Sequence, residues 1–92
     1  MISVKSSNFK SLEEVKEFGY ISRESILKDG FIEVNDRDAY EVTFNWPPDR
    51  KAKWVIFLAN DKEYTIQCST SEDLYAAYEE VFDNIINSFY IE

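Results

Sequence analysis

The chain has 92 residues, a net charge of −8, 45% hydrophobic and 16% aromatic side chains, which is enough apolar surface for the core of one small domain. Its acidity disfavours nucleic acids and anionic membranes as partners, and no apolar run reaches the roughly 20 residues that cross a bilayer. The absence of histidine and the single cysteine, Cys68, exclude an intramolecular disulfide, a cysteine zinc motif and the commonest general base.

The first third of the chain carries signals for one strand and one helix. Residues 2–5 alternate apolar and polar side chains, which predicts a short strand. Ser11 and Glu14 have the spacing of a capping box, in which the hydroxyl oxygen accepts a backbone N–H and the carboxylate reaches back. We therefore predict a helix of about two to three turns that ends near Gly19.

The middle of the chain begins with two turn signals. Residues 28–30, with a glycine at the end, predict a turn. A short strand at 31–34 and a polar turn at 35–38 follow, so that this region forms a hairpin or a bulged strand. The four polar residues 35–38 could also hold a hard cation, but they lack the spacing of a calcium loop, and turn chemistry explains them better.

Three stronger strand signals come next. Residues 39–46 alternate strictly, which predicts a strand with one buried face and one face in water. Residues 54–59 are apolar on both faces, which is typical of a central strand covered on both sides. Residues 64–68 alternate again and place Cys68 on the inward face as a buried thiol. The short polar turns between these segments predict antiparallel pairing.

The last segment predicts a long amphipathic helix over residues 72–87, after a capping signal in the segment 69–72. One face carries acids, and the other carries a broad apolar stripe. The predicted fold class is α+β, a single domain over residues 1–92 with an antiparallel β-sheet of four to six strands and two helices packed on it. The stripe consists of Leu74, Tyr78, Val81, Phe82, Ile85, Ile86 and Phe89, and the acids are Asp73, Glu79, Glu80 and Asp83.

The order of these elements resembles the C-terminal part of PsbP-like domains. The resemblance rests on the Tyr-x-Ile-x-Cys strand at 64–68, the cap that follows it and a helix that ends in Ile-Ile-Asn-Ser-Phe at 85–89. Segments 11–14 and 39–42 match as well. It implies a PsbP-like fold without the family's N-terminal strands, and hence an open sheet edge where a homodimer or a partner could pair. It also implies an extracytoplasmic protein, whereas a chain complete as given would be cytoplasmic.

Two charged clusters are candidate docking sites for a partner. Glu79, Glu80 and Asp83 give the last helix an acidic face that could bind a basic protein, although a solvated face is the simpler explanation. The basic cluster falls at a predicted hairpin tip, where it could contact an acidic partner or form an ordinary charged loop. That cluster consists of Arg50, Lys51 and Lys53.

The sequence contains no arrangement of residues that supports catalysis. Without histidine, Cys68 has no base of the usual kind, and neighbouring acids on one helix do not face each other. We therefore predict a protein that is not an enzyme and has no cofactor or metal: a non-catalytic interaction or assembly domain with a protein partner, as PsbP-like proteins imply. The alternative is a small-molecule or divalent-metal-binding module, suggested by the surplus of acids and the aromatic richness.

Overall fold

A computed structural model describes residues 2–6, 9–18, 21, 23–46, 49–59 and 61–89. These described residues contain five strands and two α-helices, with two 3-10 turns, which confirms the predicted α+β class. The elements in chain order are β1 (Ile2–Ser6), α1 (Leu12–Phe18), a 3-10 turn (Arg23–Ser25), β2 (Ile26–Val34), β3 (Arg37–Trp46), β4 (Arg50–Ala59), β5 (Lys62–Ser71), a 3-10 turn (Glu72–Leu74) and α2 (Tyr75–Ser88).

The strands form a single antiparallel sheet in the order β1-β5-β4-β3-β2. Strands β2 to β5 pair in sequence as consecutive antiparallel hairpins. The first strand, β1, pairs with the last strand, β5, so that Ile2 lies opposite Ile66. Within the described residues, β1 and β2 are the two edges of the sheet. The register also places Lys53 of β4 between Thr43 of β3 and Cys68 of β5.

The turn between β2 and β3 is the predicted polar turn. Asn35 and Asp36 have φ angles of 50° and 66°, which asparagine and aspartate tolerate better than most residues and which suit a two-residue hairpin loop. The Asn35 side-chain amide also donates to the carbonyl oxygens of Asn87 (3.0 Å) and Phe89 (2.7 Å). The turn therefore fastens the end of α2 to the sheet.

The turn predicted at residues 28–30 is wrong, because these residues lie inside β2. Pairing with β3 outweighs the local turn preference, and the Tyr40 hydroxyl donates to Asp29 Oδ2 at 2.7 Å. The irregularity that the sequence suggested instead appears as a break in register between Ile26 and Lys28. A bulge of this kind bends an edge strand without ending it.

The two helices cover opposite faces of the sheet, and each has its own core. On one face Val15 of α1 packs with buried residues of β3 and β4, and on the other α2 packs over β4 and β5. The prediction that one face of β3 contacts water is therefore wrong: Ala39 and Thr43 are buried on the α2 face. Because the side chains at these two positions are small, α2 can cover this face of the sheet, which the alternation of the sequence predicted to be in contact with water.

The start of α1 confirms the predicted capping box. The Ser11 Oγ accepts the backbone N–H of Glu14 at 3.3 Å, and Glu14 Oε1 accepts the N–H of Lys10 at 2.9 Å. The carboxylate thus reaches one residue further back than the standard pattern. The predicted stop at Gly19 lies outside the described residues.

The start of the last helix differs from its prediction. Ser71 makes no side-chain capping hydrogen bond, and residues Glu72–Leu74 form a 3-10 turn before α2 begins at Tyr75. The backbone N–H of Glu72 donates instead to the carbonyl oxygen of Asp49 at 2.8 Å. A tertiary contact therefore replaces the local cap and ties the helix start to the residues before β4.

Candidate functional site

Helix α2 presents three sides with different chemistry. Its core side carries Tyr75, Phe82 and Ile86, all buried against β4 and β5. One flank carries Glu79 and Asp83, and the other carries exposed apolar side chains. The candidate functional residues divide between these two flanks.

The acidic flank closes over a buried lysine. Lys53 is only 4% exposed, and its Nζ lies 2.9 Å from Asp83 Oδ1 and 3.3 Å from Glu79 Oε2. Lys53 therefore lies beneath α2 and not at the predicted hairpin tip. Two of the three acids and one of the three bases predicted as docking residues bind each other.

The surroundings of Lys53 keep its ammonium group charged. Burial alone lowers the pKa of an ammonium, but the Asp83 carboxylate, with further help from Glu41 and Glu79, more than reverses this effect. The pKa of Lys53 therefore lies above its ordinary value. A permanently charged, nearly inaccessible lysine fits a structural role better than a docking role.

The remaining predicted docking residues lie apart from this ion pair. Arg50 is exposed, and its guanidinium donates to Ser69 Oγ at 3.2 Å. Lys51 is half-buried, with its Nζ 4.3 Å from the centre of the Tyr75 ring, a cation–π contact. Glu80 is exposed to solvent. The structure thus does not gather the predicted basic cluster into one patch.

A polar cleft lies on the acidic side of α2, above β2, β3 and β4. Its volume is about 350 Å³, within the range of small-ligand sites. The sheet contributes Lys28, Thr43 and Lys51 to its lining. The residues that begin the helical segment contribute Glu72, Tyr75, Ala76 and Glu79.

The opposite flank of α2 is apolar and open to solvent. Leu74, Tyr78, Val81 and Ile85 recur at a spacing of three or four residues and are 43–49% exposed. The sequence stripe had merged these residues with the truly buried ones, so the prediction of one broad core face is wrong. It also omitted Tyr75, which is 4% exposed. The apolar stripe of α2 is too wide to be buried against one sheet. This width was the sequence signal that the helix has a buried face and a separate exposed apolar face.

The apolar flank faces the β1 edge of the sheet. Glu79 and Asp83 reach Lys53 of β4, and Glu79 also lines the cleft with residues of β2 and β3. The flank on the other side of the helix therefore faces β5 and β1. Ile2 and Val4 lie opposite Ile66 and Tyr64, which pack under α2, and hence on the same sheet face.

Ile2 and Val4 are 51% and 52% exposed, so α2 does not cover them. Because α2 stands above β4 and β5 and leaves β1 uncovered, we infer a recess whose floor is β1 and whose wall is the apolar flank of α2. No pattern in the sequence could place these two segments side by side, because they are separated by most of the chain. We call the following six residues the α2–β1 surface: Ile2, Val4, Leu74, Tyr78, Val81 and Ile85.

The described residues bring together no group of three acidic or cysteine side chains that could hold a metal ion. Cys68 is buried, as the alternation of β5 predicted, and burial raises the pKa of its thiol. Neither helix in the described part of the chain is long and apolar enough to span a membrane. The chain matches no family model and no curated protein.

Proposed function

We propose that the protein is a non-catalytic interaction domain that binds a partner protein through the α2–β1 surface. The observation that carries this proposal is the grouping of six apolar side chains, each 43–52% exposed, on one edge of the molecule. Half-exposed side chains of this size leave on the order of 500 Å² of apolar surface, toward the upper end of the range for the largest patch on a typical monomer. Patches of that size often mark docking sites.

The shape of the recess favours a helix as the bound element. Neighbouring strands lie about 4.8 Å apart, and packed helices lie roughly 8–10 Å apart. A second helix beside α2, which packs over β5 and β4, would therefore lie above β1 and its outer edge. In that position one apolar stripe contacts both the wall and the floor, the helix-in-groove mode of recognition.

The negative charge of the domain indicates which side chains should flank the apolar stripe of the bound partner helix. The chain carries a net charge of −8, and Asp73 and Glu80 are exposed on the same helical segment. A partner helix with lysine or arginine beside its apolar stripe would be attracted and oriented by this field. A second copy of the chain also carries a net charge of −8 and would be repelled, so a second copy is a less favoured partner for this surface than a basic helix.

The size of the surface sets the expected strength of binding. If both partners bury on the order of 500 Å², the total near 1,000 Å² falls below the standard range of stable complexes. We therefore expect micromolar, reversible binding that weakens with added salt. The resemblance to PsbP-like domains supports the same class of function, because most such domains are binding or assembly factors.

The experiment is a fluorescence-anisotropy titration of the whole chain with designed helical peptides of about 18 residues, or five turns. The probe has a leucine stripe with lysine flanks; one control has glutamate flanks, and the other has the probe's composition without the stripe. We expect micromolar binding of the probe and at least tenfold weaker binding of both controls. Equal binding of the stripeless peptide would show that charge alone is recognised and would contradict the proposal.

Matched variants locate the binding on the surface of the protein. The double variant Tyr78→Ser, Val81→Ser removes exposed apolar area from the α2–β1 surface. Phe31→Ser removes a side chain of similar exposure, 48%, on the other face of the sheet. The double variant should lose binding tenfold or more while Phe31→Ser retains it, and the reverse pattern would exclude this surface. Sedimentation of the unmodified chain as a dimer would assign the surface to a second copy and overturn the basic-helix partner.

A further inference from the structure

The edge strand β1 lacks the features that usually prevent a sheet edge from pairing with another chain. Its five residues, Ile2–Ser6, include no proline and pair with β5 without a break in register. Prolines and bulges are common protections of an edge, and β1 has neither. Its single charged residue is Lys5, whose Nζ lies 3.6 Å from Glu63 Oε2 of β5, so this charge lies beside the neighbouring strand.

The other edge strand, β2, is protected. Its register with β3 breaks between Ile26 and Lys28, and a bulge of this kind twists an edge away from the flat geometry that a further strand needs. Lys28 and Glu33 also place exposed charges on this strand. The contrast between the two edges indicates that β1 is the edge suited to pair with another chain.

The outer side of β1 offers backbone groups to a further strand. In an antiparallel pair, alternate residues exchange hydrogen bonds with the partner strand, and the residues between them direct their N–H and C=O groups to the other side. Within the part of the chain that the structure describes, no strand pairs with that other side of β1. Ile2 and Val4 are half-exposed on the α2 face, so an added strand would also find apolar side chains to pack against.

The helix proposed above would reach beyond this edge. Neighbouring strands lie about 4.8 Å apart, packed helices lie roughly 8–10 Å apart, and α2 packs over β4 and β5. A helix beside α2 is therefore centred between β1 and the position of one further strand. Part of its apolar stripe would have no sheet beneath it. A strand in that position would complete the floor, and the bound helix would then lie over two strands, as α2 does.

We propose that the partner also contributes an extended segment of about five residues, which pairs with β1 as a sixth strand of the sheet. This inference rests on the proposed function and names a second element of the same partner. Main-chain hydrogen bonds would supply affinity, and apolar side chains at alternate positions, beside Ile2 and Val4, would supply specificity, as in other cases of strand addition. The added contact area would bring the interface closer to the standard range of stable complexes.

The test compares the lysine-flanked helical peptide with longer peptides in which a glycine–serine linker joins it to an alternating valine–threonine segment, placed before or after the helix. At least one longer peptide should bind the whole chain tenfold more tightly than the helix alone. Methylation of the backbone nitrogens at alternate positions of the segment removes the donors on one side only. One of the two methylation patterns should abolish the gain, and the other should retain it.

The outcomes separate the strand from the helix. Micromolar binding of the helical peptide with no gain from either extension would overturn the strand and leave the proposed function intact. Binding of a longer peptide without binding of the helical peptide would support the strand and overturn the helix.

Amide hydrogen exchange locates the added strand on the protein. The longer peptide, but not the helical peptide, should slow exchange tenfold or more at alternate amides of β1, because only the outward N–H groups gain partners. The amides of β2, the protected edge, serve as the control and should exchange at an unchanged rate. Protection of β2 in place of β1 would overturn the proposal. Protection of β1 that rises with the concentration of the free chain would assign the edge to a second copy and would also overturn it.

Discussion

Converting both Glu79 and Asp83 to their amides is expected to lower the free energy of unfolding by about 3 kcal/mol, the lower end of the cost of breaking a buried ion pair. The Glu79→Gln, Asp83→Asn variant leaves the Lys53 ammonium, whose side chain is 5% exposed, under α2 without the two carboxylates that contact it. Urea denaturation monitored by circular dichroism measures this loss. Glu80→Gln on the same helix, at an exposed position, should change the free energy by less than about 0.5 kcal/mol.

Replacing Lys53 should change the free energy of unfolding far less than replacing its partners Glu79 and Asp83. Lys53→Met removes the charge and its desolvation cost together and fills a similar volume, so we expect a change within about 1 kcal/mol. A raised pKa means that the contribution of Lys53 is fully present below its unfolded value of 10.5 and is lost only as the pH rises through the folded value. A large loss of stability in Lys53→Met, equal to that of the double amide variant, would contradict this account of the ion pair.

Phe57→Ala is expected to cost about 3–5 kcal/mol, the usual range for truncating a buried phenylalanine. Phe57 is 1% exposed in the centre of β4, and its ring stacks on Phe89 with centroids 5.1 Å apart. A 92-residue domain has a free energy of unfolding of about 5–14 kcal/mol in total, so the variant should lose a large part of it. The same urea titration measures it.

Phe31→Ala is the matched control for the core truncation. Its ring is 48% exposed and contacts Tyr40 at 5.9 Å between centroids, so its loss should cost less than about 1 kcal/mol. Similar losses in the two variants would mean that the α2 side of the sheet is not the principal core.

The sheet could be predicted from the sequence because its signals are local. Strict alternation at 39–46 and 64–68 marks strands that pair with their neighbours in the chain, and β3, β4 and β5 are such neighbours. The pairing of β1 with β5 could not be predicted, because it joins segments some sixty residues apart. Likewise, a small buried residue such as Thr43 looks like a solvent-facing position until a helix is known to cover it.

The candidate sites were harder to predict because each depends on tertiary placement. Lys53 resembled its basic neighbours Arg50 and Lys51 in sequence, and only the packing of α2 shows that it is buried. The spacing of apolar residues in α2 does not determine how the helix is rotated about its axis, and therefore does not show which part of the stripe contacts the sheet. The cleft joins residues from β2, β3, β4 and the start of the helical segment, so no single stretch of sequence contains it.

A basic amphipathic helix should bind in the recess between α2 and β1. Amide chemical shifts of the ¹⁵N-labelled chain, recorded during titration with the lysine-flanked leucine peptide, test this binding most directly. The perturbed amides should cluster in β1 and in residues 74–85, while those of β2 and of α1 should remain unchanged. Perturbations concentrated on α1 and the opposite sheet face, or the absence of saturable shifts at millimolar peptide, would contradict it.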